Sequence, residues 1–129
     1  MNFVVLNVAG SIQAQLSPFT EMILVGPMQR DGTEVISMGF QKGQVRINSL
    51  SYDRPIFLET PVGTIKGISA HLTAEIGTDA QGTFELNVQA LTKGIVLITE
   101  HGNLPLPLMG RACVREGVPP KLLPLRPYK

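Results

Sequence analysis

The sequence predicts an all-β fold: a small antiparallel barrel or sandwich of about eight short strands with an extended proline-rich C-terminal arm. Three observations carry this expectation. Residues 68–76 alternate strictly, with Ile68, Ala70, Leu72, Ala74 and Ile76 on one side and Ser69, His71, Thr73 and Glu75 on the other, the period-2 signature of a half-buried strand. The 13 Gly and 10 Pro of the 129-residue chain punctuate it at short intervals throughout. No stretch repeats apolar residues at spacings of three and four over several turns, so helix is nearly absent.

Taken from the N-terminus, residues 3–8, apolar apart from Asn7, form a run that suits a strand covered on both faces. Ile12, Ala14 and Leu16 alternate with Ser11, Gln13 and Gln15. Residues 21–28 and 34–40 read as a hairpin around Arg30-Asp31-Gly32-Thr33, because Asp-Gly supplies the positive φ that tight hairpin turns need. Lys42-Gly43 reads as a turn into a strand over 45–52, whose apolar phase slips between Ile47 and Leu50 as at a bulge. Asp53-Arg54-Pro55 leads to a strand over 56–59, and Thr60-Pro61-Val62-Gly63 turns into the alternating strand.

After the loop from Gly77 to Gly82, Phe84, Leu86, Val88 and Ala90 alternate with Glu85, Asn87 and Gln89, which completes a second hairpin. Two registers keep both apolar sets on one face. Ile76 opposite Phe84 is preferred, since Gly82 then sits at the loop end; it also sets Glu75 opposite Glu85, a mildly unfavourable pair. Ala74 opposite Phe84 is the alternative. Lys93-Gly94 leads to a strand over 95–100, and Arg111–Arg115 adds a last short one.

The chain length suits a single soluble domain that needs neither metal nor disulfide to hold a core, and the lone Cys excludes an internal disulfide. The longest apolar runs, Phe3-Val4-Val5-Leu6 and Met22-Ile23-Leu24-Val25, fall far short of the ~20 residues of a membrane span. No Lys or Arg precedes the first of them, so neither a signal peptide nor a transmembrane segment is expected. The expected location is a reducing, cytoplasmic compartment or an assembled particle.

The net charge of +1 conceals two unlike regions. Residues 1–110, the antiparallel β domain, carry six basic and nine acidic groups, or −3. Residues 111–129 form the last strand plus an extended arm; they hold four prolines and five basic groups against Glu116 alone, or +4. Leu122, Leu123, Leu125 and Tyr128 are too apolar to be left in water, so the arm docks, either on its own domain or on a neighbouring subunit. The candidate partner-binding residues are therefore Arg111, Arg115, Lys121, Leu122, Leu123, Leu125, Arg126, Tyr128 and Lys129.

Side chains suited to catalysis are sparse. His71 falls on the outward face of a strand, and His101 lies in a turn where Glu100 does not obviously orient it. Cys113 is flanked by Arg111 and Arg115, which can lower a thiol pKa, but a small apolar residue in a core strand is the commoner explanation. Gly77-Thr-Asp-Ala-Gln-Gly82-Thr83 has the first spacing of a phosphate-binding loop without its lysine, and it joins two antiparallel strands. No acid, base and nucleophile can be named together. The expectation is no enzyme, no metal and no cofactor.

Two functional expectations follow. The first is a structural or assembly protein that self-associates or docks on a larger assembly through its β surface and C-terminal arm, such as a capsid-decorating or tail component of a viral particle. It rests on the 16% charged residues, the mean hydropathy of +0.17 and the mild outward face. Its partners are other copies or other subunits, with no membrane and no small-molecule substrate. The alternative is an OB-like barrel binding single-stranded nucleic acid, using Arg46, Tyr52, Arg54, Phe57 and Lys66 as a basic and aromatic cluster.

Overall fold

A computed structural model describes residues 4–8, 12–30, 32–49, 55–68 and 70–123. These residues form twelve strands of one continuous sheet, and none of them is helical. The all-β, barrel-like class holds, with twelve strands where the sequence announces about eight. In chain order they are β1 (Val4–Val8), β2 (Ile12–Leu16), β3 (Glu21–Arg30), β4 (Thr33–Ser49), β5 (Pro55–Thr60), β6 (Gly63–Ile68), β7 (His71–Thr78), β8 (Phe84–Ala90), β9 (Ile95–Thr99), β10 (Gly102–Leu106), β11 (Arg111–Arg115) and β12 (Lys121–Leu123).

The 17-residue β4 organises the fold. Its first half pairs with β3 antiparallel and, through Ile36↔Ile56 to Gly39↔Glu59, with β5 parallel. Its second half pairs antiparallel with β2 and β7. One strand therefore belongs to two layers: sheet I, ordered β1-β2-β4-β7-β8-β11-β12, and sheet II, ordered β3-β4-β5-β6-β9-β10. The transfer occurs at Gly43, whose φ of +103° bends the chain as only glycine readily does. Lys42-Gly43 is thus a bend inside a strand, not the expected turn between strands. The parallel β4–β5 pairing likewise departs from the expected all-antiparallel arrangement.

The core lies between the layers. Ile47, Leu72, Leu86 and Ala112 of sheet I meet Ile36, Met38, Phe40, Leu58, Ile65 and Leu97 of sheet II, all fully buried. Each large side chain so removed from water contributes about 1.5–3 kcal/mol, enough in aggregate to hold the fold without a cross-link. The β3–β4 hairpin forms as its Asp-Gly signal predicts, closing at Arg30↔Thr33.

The strict alternation of residues 68–76 divides between two strands. Ile68 ends β6 in sheet II and is 48% exposed, whereas Ala70 is buried and β7 begins at His71 in sheet I. Ile68 thus lies on the outer side of its strand, beyond the buried Ile65 and Gly67, and the inward apolar set begins only at Ala70. The β7–β8 hairpin adopts neither expected register: Ile76 faces Leu86 and Thr78 faces Phe84. The Asp79 carboxylate accepts the Gln81 and Thr83 amides (2.9 and 3.0 Å), closing a tight loop with Gly82 at φ +81°. This register also places Glu75 opposite Asn87 and so removes the like-charge pair.

Sequence reading omits β10 and β12. Pro105 within β10 argues against a strand, but β10 pairs only with β9 and a sheet edge tolerates proline. Lys121–Leu123 pairs with β11 of its own chain as the edge of sheet I, despite the prolines on either side. The bulge expected between Ile47 and Leu50 does not occur as far as Ser49, where β4 keeps its register with β2, and Leu50 lies outside the described residues.

Candidate functional site

The outer face of sheet I carries an open groove, lined by polar side chains with apolar surface between them. The registers align Gln15, Arg46, Thr73, Gln89, Arg111 and Leu123 in one row across six strands, with Gln44, Glu75, Asn87, Cys113 and Lys121 in the row beside it. The space above them measures about 620 Å³, inside the ~300–1,000 Å³ range of binding clefts. Alternation places these residues outward because Val45, Ala74, Val88 and Ala112 between them fill the core.

Neighbouring side chains hold one another in place. Arg46 Nε donates to His71 Nε2 at 2.9 Å, and Gln44 Nε2 donates to a carboxylate oxygen of Glu75. Accepting that bond requires His71 to be unprotonated at Nε2. Burial, and then the adjacent Arg46 charge, lower the His71 pKa. Arg115 Nε donates to Glu85 Oε2 at 2.8 Å, and Asn87 Nδ2 donates to Glu85 Oε1 at 3.3 Å. These two bonds, Arg115 first, hold the Glu85 carboxyl below its ordinary pKa.

A second concavity of about 500 Å³ opens at the end of the molecule, where β4 leaves one layer for the other. Above it stands the β2–β3 turn, Ser17-Pro18-Phe19-Thr20. Phe19 is 88% exposed and adopts φ +65°, a left-handed conformation unusual for a bulky residue. The turn is firmly tied. Thr20 Oγ1 donates to the Gln44 carbonyl (3.1 Å) and accepts from the Gln44 amide (3.2 Å), while the Ser17 and Thr20 hydroxyls lie 3.0 Å apart.

Of the expected partner-binding residues, Arg111 and Leu123 line the sheet I groove. Arg115 pairs with Glu85, Lys121 lies opposite Cys113 and Leu122 is 45% exposed at the sheet edge. Leu125, Arg126, Tyr128 and Lys129 lie outside the described residues. The nucleic-acid cluster is divided: Arg46 lies on sheet I, whereas Lys66 Nζ sits 5.5 Å from the Phe57 ring on sheet II. Tyr52 and Arg54 lie outside the described residues.

His101 occupies the β9–β10 turn and stands nearer to Glu100 than the sequence suggests, with Nε2 3.4 Å from Oε1. Cys113 is half-buried on the groove side of β11 rather than in the core, and burial, then Glu85, push its thiol pKa up against the opposing charges of Arg115 and Lys121. Among the described residues, no group of three or more His, Cys, Asp or Glu is placed to hold a metal ion, and no helix is long and apolar enough to cross a membrane. Sequence reading missed Phe19, because only a backbone angle distinguishes it from any other aromatic.

No family model matches the sequence, and no curated protein matches it. The fold, however, is shared. Two crystal structures of a putative anti-sigma factor from Parabacteroides distasonis ATCC 8503, at 1.65 and 2.50 Å resolution, superpose with a TM-score of 0.75 at 12% and 10% identity. Each match covers 95% of this chain but 55% of the other, so this chain spans about half the length of that protein. The likeness corrects the expectation of a viral-particle or assembly protein, since the neighbours are neither; the nucleic-acid cluster instead loses its unity to the division of Arg46 from Phe57 and Lys66 between the two sheets. Low charge and a mild outward face describe exposed β-sheets in general, and they do not distinguish an assembly subunit from a regulator.

Proposed function

We propose that this chain is a non-catalytic regulatory domain that binds a polypeptide partner across the outer face of sheet I, as part of a regulator of the anti-sigma type. The observation that carries the reading is the groove itself. It is open, and its arginine, amide and hydroxyl side chains lie in two rows that cross the strands of sheet I. Arg46 and Gln44 are already paired with His71 and Glu75, so their geometry is fixed before a partner arrives, which lowers the entropic cost of binding. The shared fold of a putative anti-sigma factor supports the regulatory class.

The test is calorimetric titration of the full chain with each sigma factor encoded in the same genome. One saturable complex is expected, weakened about tenfold or more when Arg46 and Gln89 are both replaced by Ala, a loss of at least ~1.4 kcal/mol. Absence of binding to every sigma factor, or binding indifferent to the double variant, overturns the proposal.

A further inference from the structure

The cleft beneath Phe19 has the parts of a second binding site, independent of the sheet I groove. Its floor is Ile76, at the open end of the core, and its walls are Pro18 and Phe19 on one side and Phe84 on the other. Lys42 and Thr78 stand at the rim. Phe19 is not exposed by looseness of the chain. The Thr20–Gln44 hydrogen bonds hold the turn, and Gly43 lets it approach β4 so closely that a Cβ there would lie 2.6 Å from Thr20 Cα. Backbone strain kept in place by surrounding contacts, at a fully displayed aromatic, is a mark of binding sites.

The main chain adds a second, separate observation. Leu91 N donates to His71 O (2.8 Å) and Asp79 N to Thr83 O (3.0 Å), so odd-numbered residues of β7 direct their backbone groups toward β8. Ser49 N donates to Ala70 O (2.8 Å), which sets the even-numbered residues toward β4. The β4–β7 ladder ends at Gly43↔Ile76, because β4 bends away there into sheet II. Thr78 therefore directs its amide and carbonyl to a side of β7 where no β4 residue lies opposite.

We propose that this cleft receives an extended segment of a protein partner, which adds a short strand against Thr78 and seats an apolar side chain on Ile76 between Phe19 and Phe84. Main-chain pairing supplies the backbone recognition and the aromatic walls select the side chain, as in strand addition to sheet edges. A polyproline segment fits the aromatic walls but has no amide to give to the Thr78 carbonyl.

The experiment is an amide-resolved NMR titration of the labelled full chain with a short capped peptide of alternating leucine and threonine. Two further probes are the same peptide N-methylated at its central residues and a proline-rich peptide of equal length. Shifts are expected at Lys42, Gly43, Gly77 and Thr78, with affinity falling about tenfold or more in Phe19→Ala and for the N-methylated peptide. Phe19→Gly keeps the turn conformation accessible and should bind as weakly as Phe19→Ala. Arg46→Ala, in the groove, should bind the peptide as the parent does, which separates this site from the one proposed above.

Tighter binding of the proline-rich peptide, equal binding of the N-methylated one, or shifts elsewhere on the molecule each overturn strand addition. Absence of shifts at millimolar peptide, or indifference to loss of Phe19, overturns the site.

Discussion

Replacing Gly43 by Ala tests whether β4 serves two sheets because one residue can bend it. The cost divides into two parts. The backbone at φ +103° is one that L residues rarely adopt, at about 1–3 kcal/mol. The added Cβ would also lie 2.6 Å from Thr20 Cα and 2.8 Å from Thr20 Cβ, closer than real Cβ atoms approach. Relief requires the β2–β3 turn to move, at the expense of the two Thr20–Gln44 hydrogen bonds of 3.1 and 3.2 Å, each worth about 0.5–1.5 kcal/mol. The total is about 2–6 kcal/mol, a large share of the ~5–15 kcal/mol that holds a typical domain. Gly82→Ala is the control: its φ is +81°, yet nothing lies within 4 Å of its Cβ position, so it should lose only the backbone part, about 1–2 kcal/mol. Urea unfolding followed by far-ultraviolet circular dichroism suits a chain without Trp. If both variants lose the same stability to within about 0.5 kcal/mol, the close approach of the turn is not what requires glycine at 43, and the account of the bend fails.

Three other outcomes follow from the packing and the ion pairs. Leu58→Ala, at a fully buried site between the layers, should cost about 2–5 kcal/mol in the same unfolding assay, whereas Ile23→Ala, at 62% exposure, should stay within about 0.5 kcal/mol of the parent. Glu85 has a folded pKa below its unfolded one, so its pairing with Arg115 stabilises fully above about pH 4.3 and is lost as pH falls through the lower, folded value. Thermal midpoints of the parent and Glu85→Gln should therefore converge on acidification below that pH, by a modest amount since both side chains of the pair are substantially exposed. His71 should titrate by NMR below 6.5, so its contribution is complete above about pH 6.5 and declines as pH falls toward the folded pKa. Arg46→Met should recover only part of that shift, because burial is the larger cause; a His71 midpoint at or above 6.5 contradicts the Arg46–His71 geometry.

The alternating faces of β2, β7 and β8 are legible in the sequence because each strand buries one face only, and period-2 alternation is the direct imprint of that burial. β4 is not legible in this way. Val35, Ile36, Ser37 and Met38 are all buried, so its first half lacks a polar face, and only from Val45 does it alternate. A single strand that passes between environments looks like two strands joined by a turn, and the glycine that makes the passage possible strengthens the misreading. The β7–β8 register escapes for a different reason. Apolar phase fixes a register only to within steps of two residues, and the choice among those steps falls to the Asp79 carboxylate, whose bonds to Gln81 and Thr83 no hydropathy pattern records.

The same reasoning explains which parts of the site stayed hidden. Arg46, Arg111 and Leu123 are separated by up to 77 positions in the chain, yet registers through β7, β8 and β11 set them in one row. Proximity of Arg46 to Phe57 and Lys66 in sequence pointed to a cluster, and the bend at Gly43 instead assigns them to different sheets. Adjacency in a β fold is governed by pairing, not by chain distance. Pairing also crosses the charge division between residues 1–110 and 111–129: Arg115 meets Glu85 at 2.8 Å across adjacent strands of one sheet, so part of the opposite charge is joined there. What the fold presents to solvent on these faces is the outer row itself, together with Phe19, which the β2–β3 turn holds outward.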